Sequence, residues 1–205
     1  FVSVTPLTNT YSLDFDGVNE YVKASLDGTT TGGILAATDG DINLTISLWV
    51  KIDTSAAAQG IFQWANALNS GNPFILIQQN NLDIRVNMDA TWGSTISFSL
   101  ATWYNITVTR NSTTNIWTGY LNGSSFFTYD DGGSSLTSRG YADDIYLGNG
   151  YIGFMDGNID EVSIFNTTKA IGDIWDGTGK PTNLSEESGL VAWWRMCDSS
   201  TLNAG

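Results

Sequence analysis

Apolar residues recur at every second position along most of the chain, which is the period of a half-buried β-strand and not of a helix. Ile42-Asn-Leu-Thr-Ile-Ser-Leu-Trp-Val-Lys-Ile52 alternates in this way and becomes apolar on both faces near Trp49. Leu82-Asp-Ile-Arg-Val-Asn-Met88 alternates cleanly after a turn predicted at Asn80-Asn81. Ile116 to Leu121 meets Asn122-Gly123, a dipeptide suited to the positive φ angles of a tight hairpin turn, and returns through Ser125 to Tyr129. Similar signals mark Leu13 and Phe15, Ile61–Trp64, Phe74–Ile77, Ser94–Leu100, Trp103–Arg110, Asp144–Gly148 and Ile152–Met155. Gly157–Phe165 follows, with apolar Ile159, Val162 and Ile164, and Leu190–Met196 is the last strand. Only Lys169–Asp176 patterns as a helix, of two turns at most, while 130–135 reads as a flexible loop and 177–182 as a connector. Many short strands at this spacing predict an all-β, two-sheet antiparallel sandwich with one short helix near the C-terminus. No repeat or boundary divides the chain, so residues 1–205 read as a single domain.

Composition narrows the chemistry. Hydrophobic residues make up 41% of the 205 and aromatics 12%, enough for a core between two sheets. A net charge of −13, with Lys and Arg together at 8, leaves no basic face to neutralise phosphates, so nucleic acid is excluded as a direct partner. Histidine is absent and Cys197 stands alone, which removes Ser-His-Asp and Cys-His nucleophile systems, the usual zinc sites and any internal disulfide. Cys197 is expected as a small residue on or after a late strand, the alternative being an intermolecular disulfide. No apolar run is long enough for a membrane span. A chain that opens with Phe1 is expected to be a processed product or an excerpt. Sequons at Asn43, Asn105, Asn111, Asn122, Asn166 and Asn183 carry little weight in a sequence so rich in Asn, Ser and Thr.

Segments in order along the chain carry a family resemblance: Leu13-Asp-Phe-Asp-Gly17, Thr45-Ile-Ser-Leu-Trp-Val-Lys51, Trp103-Tyr-Asn-Ile-Thr-Val-Thr109, Tyr120-Leu-Asn-Gly123 and Gly157-Asn-Ile-Asp-Glu161. Together they resemble the laminin-G-like domains of the concanavalin A-like lectin/glucanase superfamily. The resemblance implies a jelly-roll sandwich and a role in recognition. Gly189-Leu-Val-Ala-Trp-Trp-Arg-Met196 is similar to a strand that many members carry before the Asp-Gly turn, but here it stands at the C-terminus. It is expected to dock within its own subunit beside Leu13–Phe15, the alternative being donation to a neighbouring copy.

Trp49, Trp103, Trp117, Trp175, Trp193 and Trp194 lie on strand or helix patterns and are expected in the core. Trp64 and Trp92 fall in turn-like contexts. Trp64 precedes Asn66, Trp92 lies in Asp89-Ala-Thr-Trp-Gly93, and Tyr141 sits in Arg139-Gly-Tyr-Ala-Asp-Asp144. An exposed ring stacks on the C–H face of a sugar while amides and carboxylates take its hydroxyls, so Trp64, Asn66, Trp92 and Tyr141 are the candidate ligand-binding residues. Asp16 and Asp160 are the candidate metal ligands: neighbouring first and closing strands would bring their carboxylates together at one end. That all-oxygen set suits Ca²⁺, and the resemblance implies a structural calcium. Adjacent Asp160 and Glu161 point to opposite faces of a regular strand, and no strand offers the alternating carboxylates of a sandwich glycosidase, so no catalytic residue is expected. The expected function is non-catalytic binding of a glycan or other surface polymer on an extracellular or virion surface. The alternative is a structural subunit, a coat, decoration or filament protein that self-associates through its C-terminal strand.

Overall fold

The computed structural model describes residues 11–25, 43–55, 57–65, 75–88, 91–133 and 144–196. The elements in chain order are β1 (Leu13–Asp16), β2 (Val22–Ser25), β3 (Leu44–Ile52), β4 (Gln59–Ala65), β5 (Ile75–Asn80) and β6 (Asp83–Met88). Next come β7 (Thr91–Trp92), β8 (Ile96–Ser97), β9 (Trp103–Asn111), β10 (Ile116–Leu121), β11 (Ser124–Asp130) and β12 (Asp144–Leu147). The chain continues through β13 (Asn149–Gly150), β14 (Gly153–Phe154), β15 (Asp156–Phe165), α1 (Ile171–Ile174) and β16 (Leu190–Trp194). Among the described residues, one seven-stranded sheet runs β1-β15-β3-β9-β10-β11, with β16 also on β15. A second runs β2-β12-β4-β5-β6-β7, with β8 on β6, and every pairing is antiparallel. No described helix is long and apolar enough to cross a membrane.

The two sheets pack face to face because alternate residues of each strand are apolar. Ile46, Leu48, Val50 and Ile52 of β3, Ile106 and Val108 of β9, and Ile159, Val162 and Ile164 of β15 enter the shared core. Ile75, Ile77, Ile84, Val86, Ile145 and Leu147 meet them from the second sheet. The hairpin turns follow the local chemistry. Asn122 and Gly123 adopt φ +48° and +76°, as their dipeptide predicts. The earlier turn is Asn81-Leu82, at φ +52° and +64°, one residue later than the Asn-Asn pair suggests. Of the strand expected over 94–100, only Ile96–Ser97 pairs. Asp131, in the stretch that reads as a flexible loop, is buried. It accepts hydrogen bonds from Arg110 Nε at 2.7 Å and Trp117 Nε1 at 2.9 Å, and the guanidinium, itself fully buried, makes that carboxylate a structural necessity.

β15 organises the first sheet. Its one edge pairs with β3, so β1 and β16 share the other end to end: Leu13 lies opposite Ile159 and Phe15 opposite Gly157, while Trp194 lies opposite Val162 and Ala192 opposite Ile164. The C-terminal strand therefore docks within its own chain, on the edge it shares with Leu13–Phe15. The register with β3 slips between Asp160 and Ser163, and Glu161 sits at φ +49°. This bulge corrects the expectation that Asp160 and Glu161 point to opposite faces. Ile159 and Val162 both enter the core, and the extra residue between them keeps both acidic side chains off it. The buried carboxylate of Glu161 accepts a hydrogen bond from Trp193 Nε1 at 2.6 Å and pairs with Arg195 at 3.5 Å, fastening β16. Gly157 is at φ +144°, where a Cβ would come within 2.1 Å of the Lys51 carbonyl oxygen; only glycine lets β15 approach β3 there.

Two outcomes test this account by urea denaturation. Gly157→Ala costs about 3 kcal/mol or more, whereas Gly172→Ala in α1, where an added Cβ meets nothing within 4 Å, changes stability by less than about 1 kcal/mol. Glu161→Ala leaves Trp193 and Arg195 without their carboxylate and costs about 2–4 kcal/mol.

Candidate functional site

The outward residues of the first sheet are polar, yet much of that face is buried. Thr45 and Ser47 of β3, Asn105, Thr107 and Thr109 of β9, and Ser163 of β15 are all inaccessible to solvent or nearly so. They satisfy one another: Asn105 Nδ2 donates to Ser47 Oγ at 2.9 Å, and Thr107 Oγ1 donates to Asn105 Oδ1 at 2.9 Å. Residues 166–189 cover them. Phe165, Ile174 and Leu184 form a small second core there, with Ile171, Leu190 and Trp193 against it. Thr45 Oγ1 donates to the Thr167 carbonyl at 2.8 Å and accepts from Lys169 N–H at 2.9 Å, and Lys169 Nζ meets Glu187 at 2.5 Å.

The cover stops short of one end of the sheet, and there a cleft of about 340 Å³ opens. It is lined by Tyr11, Ser12, Trp49, Trp103, Asp160, Gly179 and Pro181. Strand register explains the convergence. Trp49 lies directly opposite Asp160 on one side, and Trp103 opposite Lys51, two residues along the same strand. Extending the β1 register by one residue brings Ser12 against Asp160. Trp49 is 7% exposed and packs against Trp175 with ring centroids 5.4 Å apart, so it forms a fixed floor. Trp103 is 38% exposed and Tyr11 61%, so both present rings to solvent. Asp160 is buried, with Oδ1 accepting the Glu161 backbone N–H at 2.8 Å. The cleft thus combines a rigid aromatic floor, exposed aromatic walls and a carboxylate, at the small end of the volume range for ligand pockets.

These are not the residues the sequence puts forward for binding. Trp64 points into the core from β4 and is 0% exposed, so it cannot serve as the exposed stacking platform expected of it; it shares the inward side of β4 with Phe62 and lies opposite Ile75 of the apolar β5, which wins over its turn-like neighbours. Trp92 lies in β7, its backbone paired with Asn87 at the margin of the other sheet. Asn66 and Tyr141 lie outside the described residues, as does Cys197. Trp103 is the residue that sequence reasoning misplaced in the core. Its parity carries the missing signal: Ile106 and Val108 point inward, so Trp103 shares the outward side with Asn105, Thr107 and Thr109.

Asp16 and Asp160 do not converge. Asp16 is opposite Asp156, four residues from Asp160 along β15, which separates the two by about 13 Å. A calcium ion needs its oxygens within about 2.6 Å, so this pair does not fit a shared ion. Among the described residues, no group of three or more His, Cys, Asp or Glu is placed to hold a metal. Asp16 instead shapes its turn, Oδ1 accepting from Val18 N–H at 2.9 Å while Glu20 accepts from Asp16 N–H at 3.1 Å.

The family model described as the concanavalin A-like lectin/glucanases superfamily matches residues 16–173. No curated protein sequence matches the chain. Among solved structures, a candidate carbohydrate-binding protein from Bacteroides ovatus superposes with a TM-score of 0.66 at 14% identity, over 94% of this chain and 55% of its own. The binding domain of botulinum neurotoxin serotype D gives 0.59 at 16% identity, over 88% and 49%. A heptameric SAP-like pentraxin from Limulus polyphemus gives 0.54 at 13% identity, over 87% and 89%. The chain thus spans about half the length of the first two, and at these identities the likeness is one of fold.

Stability separates the core tryptophan from the cleft one. Trp64→Ala costs about 3–5 kcal/mol, as for other fully buried aromatics, whereas Trp103→Ala costs less than about 1.5 kcal/mol, both read from urea melts.

Proposed function

Because the chain belongs to the concanavalin A-like lectin/glucanases superfamily, we propose that it is a non-catalytic glycan-binding module whose sugar sits in the cleft of Tyr11, Trp103 and Asp160. One observation carries this reading: Trp103 and Tyr11 hold large apolar rings in solvent at the mouth of a concave site whose floor is also aromatic. Exposed aromatic surface of this kind costs free energy in water and recovers it when a flat apolar partner covers it. The C–H face of a pyranose is such a partner, and the Asp160 carboxylate and Ser12 hydroxyl beside it are suited to the ring hydroxyls. The likeness to a candidate carbohydrate-binding protein supports the reading. A polymer of this class is met on an extracellular or virion surface, where the module would be displayed.

A glycan array with the purified chain identifies ligands, and titration calorimetry with the best of them tests the site. Trp103→Ala and Tyr11→Ala each weaken binding about 10-fold or more, equivalent to about 1.4 kcal/mol. Unchanged affinity in both variants moves the site off the cleft. Binding to no glycan, with oligomers in solution, favours the assembly subunit.

A further inference from the structure

The charges around the cleft name the class of glycan. Resting on the reading above, we infer that the cleft takes uncharged glycans and discriminates against sialylated, uronic or sulfated ones. A site for an acidic sugar holds its carboxylate or sulfate with a guanidinium fork or an ammonium aimed at the anion. Among the described residues the cleft lining contains neither, and the charged group there is the Asp160 carboxylate.

Most cations of the described residues are paired with carboxylates. Arg110 is buried on Asp131 at 2.7 Å, and Arg195 is held against Glu161 at 3.5 Å. Lys169 meets Glu187, Lys23 meets Asp144 at 2.8 Å, and Lys51, nearest the cleft along β3, lies 3.6 Å from Asp53. Arg85 belongs to β6 of the other sheet. Lys180, between the lining residues Gly179 and Pro181, is exposed and is not part of the lining. The net charge of −13 extends the same sign of potential beyond the cleft, and a field of that sign lowers the local concentration of anionic polymers. A neutral sugar loses nothing to either term: its C–H face meets Trp103, and its hydroxyls donate to the Asp160 side of the cleft, an arrangement in which a carboxylate is the stronger acceptor.

The test compares one neutral oligosaccharide found on the array with its own sialylated or sulfated derivative, by calorimetry on the whole chain. The neutral compound binds about 10-fold or more tightly at about 20 mM salt, and the gap narrows at about 500 mM as the repulsion is screened. Asp160→Asn keeps the Oδ1 acceptor for Glu161 and narrows the gap at low salt. Equal or tighter binding of the acidic derivative overturns the inference while leaving the glycan module intact, the more so when Lys180→Ala removes that binding. Failure of both compounds, and of every other glycan, overturns the glycan reading itself and the inference with it.

Discussion

The buried carboxylate of Glu161 has to be satisfied, and the architecture around β15 follows from how this is done. The residue sits at a bulge in a left-handed backbone conformation that an L side chain adopts at a cost. It persists because Trp193 and Arg195 of the returning C-terminal segment supply a hydrogen bond and a charge. One edge of β15 is thereby divided. β16 takes the stretch beyond the bulge and β1 the stretch before it, so the first and last strands of the chain meet at Asp160 and Glu161.

That division positions the cleft. β1 stops at the bulge, so Tyr11 and Ser12 leave the sheet beside Asp160 instead of continuing along its edge. The chain between β15 and β16 has to return across the outer face, and its apolar residues build the small second core over Thr45, Thr109 and Ser163. Trp175 of that segment braces Trp49, while Gly179 and Pro181 form a wall. What remains uncovered is the end of the sheet where β9 begins, and Trp103 is its first residue. A rigid floor and pre-placed walls reduce the ordering cost of binding.

The sandwich is legible in the sequence because burial on one face of a strand leaves a period-two pattern, kept by Leu44, Ile46, Leu48, Val50 and Ile52 of β3 and by Ile106 and Val108 of β9. The short helix also follows from local pattern, whereas the intrachain docking of the last strand follows from the family resemblance of Gly189–Met196. The site is less legible. Trp103 and Trp64 are both tryptophans beside polar residues, and context alone ranks them the wrong way round. Parity ranks them correctly, since Trp103 is out of phase with Ile106 and Val108 while Trp64 faces the same core as Ile75 and Ile77. The expected meeting of Asp16 with Asp160 fails for a different reason. Antiparallel register places Asp16 against Asp156, and register depends on pairing between residues some 140 positions apart, which no local pattern encodes. The departure of Asp160 and Glu161 from alternation is visible in retrospect in the three-residue step from Ile159 to Val162.

The most direct measurement is a crystal structure of the chain with the tightest-binding neutral oligosaccharide. The account predicts a pyranose ring stacked on Trp103, flanked by Tyr11, with a hydroxyl within hydrogen-bonding distance of Asp160. A sugar seated on the outer face of the other sheet, with the cleft empty, would contradict it.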